Sequence, residues 1–171
     1  TGDGTSVDSL DELTTLVTDA ITAAGPALAE IPAYDGSQTA PSDTVYGNAG
    51  VTGVTDPVLL AIVNSVVEEL GPDDTNETGE LQDIVDAVQA VFDSAAGDTT
   101  EPSYADLQLL GIEGVTEENI ADFRAIIAAT DDGGADVTTI AAIQGVVDDG
   151  LAAVATLTAY DASQAAPDEA V

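Results

Sequence analysis

Apolar residues in this chain recur every three or four positions, in runs separated by glycine, proline and acidic residues. Leu10, Leu13, Leu16, Val17 and Ile21 form the first run and predict a helix near 8–24. Leu59, Ile62, Val63, Val66, Val67 and Leu70 form the second; Leu81, Ile84, Val85, Val88, Val91 and Phe92 form the third. The pattern returns as Ile120, Phe123, Ile126 and Ile127, then as Ile140, Ile143, Val147, Leu151 and Val154. This spacing gathers the apolar side chains on one face of an α-helix. Valine and isoleucine are frequent, but strands would need them at every second position. The pattern predicts an all-α chain.

Local signals place the helix ends. Ser103, followed three residues on by Asp106, has the form of a capping box and opens a short helix near 103–110. Gly111 to Gly114 then turns the chain. Thr55 and Thr116 are the expected N-caps of a longer helix; Glu117 and Glu118 would lie at its positive end, and Pro57 falls in the first turn, where a missing N–H costs little. The segments Gly71 to Asn76 and Asp131 to Asp136 read as acidic loops, with Thr78 or Asp136 as caps of the next helix.

The runs belong to a larger periodicity. Pro41-Ser42, followed by Tyr46 and Gly50-Val51-Thr52-Gly53-Val54-Thr55, recurs as Pro102-Ser103, Tyr104 and Gly111-Ile112-Glu113-Gly114-Val115-Thr116. Leu81-Gln82-Asp83-Ile84-Val85-Asp86 recurs as Ile143-Gln144-Gly145-Val146-Val147-Asp148 at nearly the same spacing. Ala33 to Pro41 returns as Ala159 to Pro167. The fold expected is tandem three-helix repeats, each a short helix followed by two longer ones. Residues 1–40 would end a preceding repeat with its third helix and linker. Residues 41–101 and 102–166 would be complete repeats, and 167–171 a tail or the start of the next. Modules this small bury too little surface to be comfortable alone, so neighbouring repeats or copies of the chain are the expected partners.

Composition narrows the chemistry. Hydrophobic residues make up 44% of the chain, enough to build a core, and the low aromatic content makes that core aliphatic. Against 33 acidic residues stands one basic residue, Arg124, for a net charge of −32. Such a surface repels phosphate and anionic lipid, so neither nucleic acid binding nor membrane insertion is expected. Its self-repulsion calls for salt, which shortens the Debye length to about 3 Å at 1 M, or for bound divalent cations. Cysteine, histidine and methionine are all missing. With no Met, Thr1 is not a natural translation start, and the chain is expected to be a processed product or a piece of something longer.

Taken together, Tyr34-Asp35-Gly36-Ser37-Gln38-Thr39-Ala40-Pro41, the Gly50 to Thr55 and Gly111 to Thr116 segments and Gly134-Ala135-Asp136 resemble tandem repeats of giant secreted or surface-anchored, adhesin-like proteins of marine gammaproteobacteria. The resemblance covers nearly the whole chain. It implies an extracellular or cell-surface location and a role in extending, spacing or assembling, with no enzymatic site. The second copy departs from it, carrying Ala96-Gly97-Asp98-Thr99-Thr100 where Tyr-Asp-Gly-Ser would stand.

Reactive constellations are few. Without His or Cys there is no base or nucleophile for acyl transfer, and without Lys there is neither Schiff-base chemistry nor a phosphate-loop cation. Carboxylate pairs are abundant by composition alone and lack an aromatic platform for a sugar. No cofactor is required. The candidate metal ligands are Asp73, Asp74 and Asn76 in one acidic loop and Asp131, Asp132 and Asp136 in the other, with calcium as the ion they would take. Asp74-x-Asn76-x-Thr78-Gly79 has the alternating oxygens of a calcium loop, but its twelfth position is Val85 and not Glu. Helix capping accounts for the same residue types. Tyr34 to Ser37 and Tyr160 to Ser163 are read as segments that close a third helix and aim the chain into the next repeat, with recognition loops as the alternative. The functional expectation is a structural spacer or assembly module. Its rivals are a self-assembling filament or surface-layer subunit (a homo-polymer, with helix exchange between copies) and a calcium-binding module.

Overall fold

The structure, a computed structural model, describes residues 9–97, 100–130 and 138–163. Seven helices occur among them and no strand: α1 (Leu10–Glu30), α2 (Asp43–Asn48), α3 (Pro57–Leu70), α4 (Thr78–Ala95), α5 (Tyr104–Leu109), α6 (Ile120–Ala128) and α7 (Ile140–Ser163). The chain divides into two compact units between Asp86 and Ala87, inside α4.

In the first unit, Ser9 caps α1 by accepting from Glu12 N at 3.1 Å. The helix does not stop near residue 24, where its apolar run gives out. It runs on to Glu30 with Pro26 inside it. A proline there deletes one helical hydrogen bond; burial of Ala27 and Ile31 just beyond it, where α1 packs on α2, offsets that loss. Ser42 caps α2 through Val45 N. The N-cap of α3 is Asp56 and not Thr55: its Oδ1 accepts from Val58 N at 2.8 Å and Leu59 N at 3.1 Å. A carboxylate there accepts both orphan amides and suits the positive helix end better than a hydroxyl. Pro57 is the first helical residue, as its position predicted.

In the second unit, Ser103 and Asp106 make both bonds of a capping box at the head of α5. Thr116 does not cap α6. It trades bonds with Asn119, Thr116 N donating to Asn119 Oδ1 and Asn119 N to Thr116 Oγ1. Glu117 and Glu118 therefore lie in a turn, and α6 begins only at Ile120. Thr139 caps α7 through Ala142 N at 3.1 Å.

The two short helices end alike. Gly50 (φ 84°) and Gly111 (φ 70°) take the left-handed conformation that stops α2 and α5. Gly50 N donates to Gly47 O and Val51 N to Tyr46 O; Gly111 N donates to Gln108 O and Ile112 N to Leu107 O. These are two Schellman motifs, each sealed by a buried pair, Tyr46 with Val51 and Leu107 with Ile112. The residue at the Tyr46 position is thus Leu107. Tyr104, which the sequence pairs with Tyr46, opens α5 half-buried, its hydroxyl accepting from Gln108 Nε2.

The aliphatic stripes form the core where they are covered. Leu59, Ile62, Val63, Val66 and Val67 are buried on α3, and Leu81, Ile84, Val85, Val88 and Val91 on α4. Phe123 and Ile127 are buried on α6, and Ile140, Ile143 and Val147 on α7, which packs against it. Over Ile140–Leu157, α7 is long and apolar enough to cross a membrane by length and composition alone. Asp148 and Asp149 sit in the middle of that window, and Ile140, Ile143 and Val147 are its buried residues.

Candidate functional site

The acidic loop before α4 brings no cage together. Asp73 and Asp74 are exposed, and Asn76 Nδ2 donates to Pro72 O and Asp73 O at 3.1 Å each, folding the loop on itself. Thr78 and Gly79 already belong to α4, so they cannot supply the bend of a calcium loop. Nor does the Thr78 hydroxyl cap its helix; it donates to Ala49 O, at the end of α2, at 2.7 Å. The carboxylate of Glu80 reaches back to Glu77 N instead. Asp131, Asp132 and Asp136 lie outside the described residues. Among the described residues no three acidic side chains gather in a group that could hold a metal ion.

The Tyr34 to Ser37 segment is a closed local turn. Asp35 Oδ1 accepts from both Ser37 N (3.0 Å) and Ser37 Oγ (2.6 Å), and Asp35 N donates to Gln38 Oε1. The bonds from Ser37 hold the Asp35 carboxyl below the usual carboxylate range. Its later counterpart differs: Ala162 stands in place of Gly36, and α7 continues through Tyr160 to Ser163. Alanine suits a helix interior, whereas Gly36, beyond the end of α1 at Glu30, sits in a turn at φ 77°.

What the two units share most closely is a glutamine clamp. Gln82 on α4 accepts from Thr52 N at 2.9 Å and donates to Thr52 O at 3.3 Å, and Nε2 also reaches Asp86 Oδ1 at 2.8 Å. Gln144 on α7 accepts from Glu113 N at 2.8 Å, donates to Glu113 O at 3.2 Å and reaches Asp148 Oδ1 at 2.7 Å. Each side-chain amide thus reads both backbone groups of one residue in the glycine turn, as a neighbouring strand would. Sequence reasoning passed over both glutamines, although Leu81-Gln82 and Ile143-Gln144 recur in the matched blocks.

A second device holds the proline that precedes each short helix. Asn64 Nδ2 donates to Pro41 O at 3.1 Å, inside the core. In the other unit the carbonyl of Pro102 accepts from Arg124 Nε (3.0 Å) and Nη2 (2.8 Å), while Nη1 pairs with Glu101 at 3.1 Å. The sole cation of the chain is therefore a backbone ligand first and an ion-pair partner second. Among the described residues every buried side-chain nitrogen or oxygen has a hydrogen-bond partner.

Among the described residues, the large apolar side chains left exposed are five on α1 and Leu157 on α7. Leu10, Leu13, Leu16, Val17 and Ile21 are exposed, and the lower end of this stripe opens on a groove of about 380 Å³ between Ala20, Ile21, Ala24 and residues 47–50. Comparison with protein families, curated proteins and solved structures finds no match to this chain.

Proposed function

We propose that this chain is a non-catalytic structural segment of a larger extracellular or surface-anchored protein. In this reading α2–α3–α4 and α5–α6–α7 are two copies of one helical module, short, middle and long, strung together to space or assemble. The observation that carries it is the pair of glutamine clamps. Three hydrogen bonds recur between corresponding residues, and their only evident role is to fix a long helix to a glycine turn. Chemistry has little to work with: the composition offers no His, Cys or Lys, and the polar groups drawn into the core are bonded to backbone or to one another. The charge of −32 suits a saline exterior, where counterions screen it.

Sedimentation velocity and electron microscopy of the chain, with and without calcium, test this. A spacer stays monomeric in both. Ordered polymers would instead favour the filament subunit, a reading supported by the bare stripe on α1. Saturable, stoichiometric calcium uptake in calorimetry would favour the binding module.

A further inference from the structure

The three long helices open alike. Ser9, Glu77 and Thr139 each stand just before the first helical residue, and their carbonyls accept from Leu13 N, Leu81 N and Ile143 N at 3.1, 3.1 and 3.0 Å. This common start puts Leu13, Leu16 and Val17 of α1 level with Leu81, Ile84 and Val85 of α4, and with Ile143, Val146 and Val147 of α7. Their burial differs. Leu81, Ile84 and Val85 are at most 1% exposed, Ile143 and Val147 are 0% exposed and Val146 is half-buried. Leu13, Leu16 and Val17 are 46%, 58% and 48% exposed. What covers α4 and α7 here is the part of the module that precedes each in sequence. A Cβ built on Gly53 would touch Val85 at 3.6 Å, and one on Gly114 would touch Leu151 at 3.5 Å. The glutamine clamps fasten the same glycine turns, at Thr52 and Glu113. Along α6, α7 packs so closely that a Cβ on Gly150 would lie 2.5 Å from Ile126. One arrangement thus seals two of three like helices, and α1 lacks it.

The bare stripe runs on into covered ground. Leu13, Val17, Ala20, Ala24, Ala27 and Ile31 alternate by four and three, the seam of one helix laid along another, and Ala27 and Ile31 are already buried where α1 meets α2. Acidic residues keep off it: Asp11, Glu12, Asp19 and Glu30 project to other sides of the helix. At the position of the clamp glutamines α1 carries Thr14, whose hydroxyl donates to Leu10 O at 2.7 Å, so a partner here would be held by apolar contact and not by a clamp.

We propose that the first half of α1 is a docking face for a further short–middle helix pair of the α5–α6 kind, with its glycine turn, carried ahead of α1 in the larger protein. α1 is then the long helix of that module, and the pair has no other long helix to displace. This rests on the modular reading above and names the partner it requires. Leu13, Leu16 and Val17 take the apolar face of the pair, and the acids, set away from the seam, leave the contact uncharged.

The test inserts an extra copy of residues 102–138 between Asp8 and Ser9 of the full chain, which keeps its own α5, α6 and α7. The sequence has no cysteine, so Val17→Cys is a unique thiol probe, labelled with an uncharged maleimide in about 1 M salt to suppress charge repulsion. The expected result is a monomer in which labelling is slower than in the uninserted Val17→Cys chain by on the order of a hundred-fold. Phe123→Asp in the inserted copy alone should restore the fast rate. Labelling as fast with the insert as without it overturns the proposal, whether or not the inserted pair is helical. Protection that survives Phe123→Asp, or that appears only as the chains associate, overturns it too, the latter making a second copy the cover. The spacer reading fails on a different measurement, polymers of the uninserted chain in sedimentation.

Discussion

The hydroxyl of Tyr46 donates to Asn64 Oδ1 at 2.8 Å, and Asn64 Nδ2 passes the connection on to Pro41 O. Tyr46 is fully buried, so this chain of bonds ties the short helix α2, the middle of α3 and Pro41 together inside the apolar core. The second unit reaches the same end differently. With Leu107 at the Tyr46 position no hydroxyl needs a partner, and Arg124 serves the proline carbonyl.

Tyr46→Phe keeps the ring and removes the donor, leaving Asn64 Oδ1 buried and unpaired. The expected loss is about 1–2 kcal/mol in urea unfolding. Unchanged stability would mean that water or another donor reaches Asn64.

Burial, reinforced by the nearby Tyr34, pushes the Tyr46 phenol well above its ordinary value of 10.0. A folded-state pKa raised in this way means that the unfolded chain gives up the proton first. The contribution to stability is complete below about pH 10 and is lost as pH rises beyond it, at up to about 1.4 kcal/mol per pH unit. Thermal melts from pH 8 upward should show a decline above pH 10 that is shallower in Tyr46→Phe.

Gln144→Glu keeps the acceptor for Glu113 N but removes the donor to Glu113 O and sets a carboxylate against Asp148. It should cost about 1–3 kcal/mol at low salt, more than Gln144→Ala. The gap between the two variants should narrow in 1 M NaCl. Equal, salt-independent losses would argue that the clamp acts through packing alone.

Arg124→Ala leaves the carbonyl of buried Pro102 without its donors, at an expected cost of about 1–3 kcal/mol. Glu101→Gln removes only a partly exposed ion pair and should cost at most about 1 kcal/mol. Arg124→Lys should fall between them, since an ammonium has no planar fork to present. If Glu101→Gln cost as much as Arg124→Ala, the ion pair and not the carbonyl would be the main interaction.

Charge screening should dominate the response to salt. With a net charge of −32, the melting temperature should climb from 0.05 to 1 M NaCl. A flat response would mean that the acids are too far apart, or too well solvated, to repel in the folded state.

By itself the sequence determined the helices and several of their ends. A three-to-four spacing such as Leu59, Ile62, Val63, Val66 and Val67 is a property of one helix, and caps such as Ser42, Ser103 and Gly50 act within a few residues; both can be read locally. The recurring blocks were likewise legible, including the two glutamines that went unused. Tertiary structure alone decided the rest. α1 continues through Pro26 because Ala27 and Ile31 are buried; Thr78 gives its hydroxyl to Ala49 O; Arg124 finds Pro102 O. In each of these cases the deciding partner is remote in sequence. The stripes of α1 and α7 look alike in sequence, yet one is bare where the other is packed, because periodicity records that a face is apolar and not what lies against it.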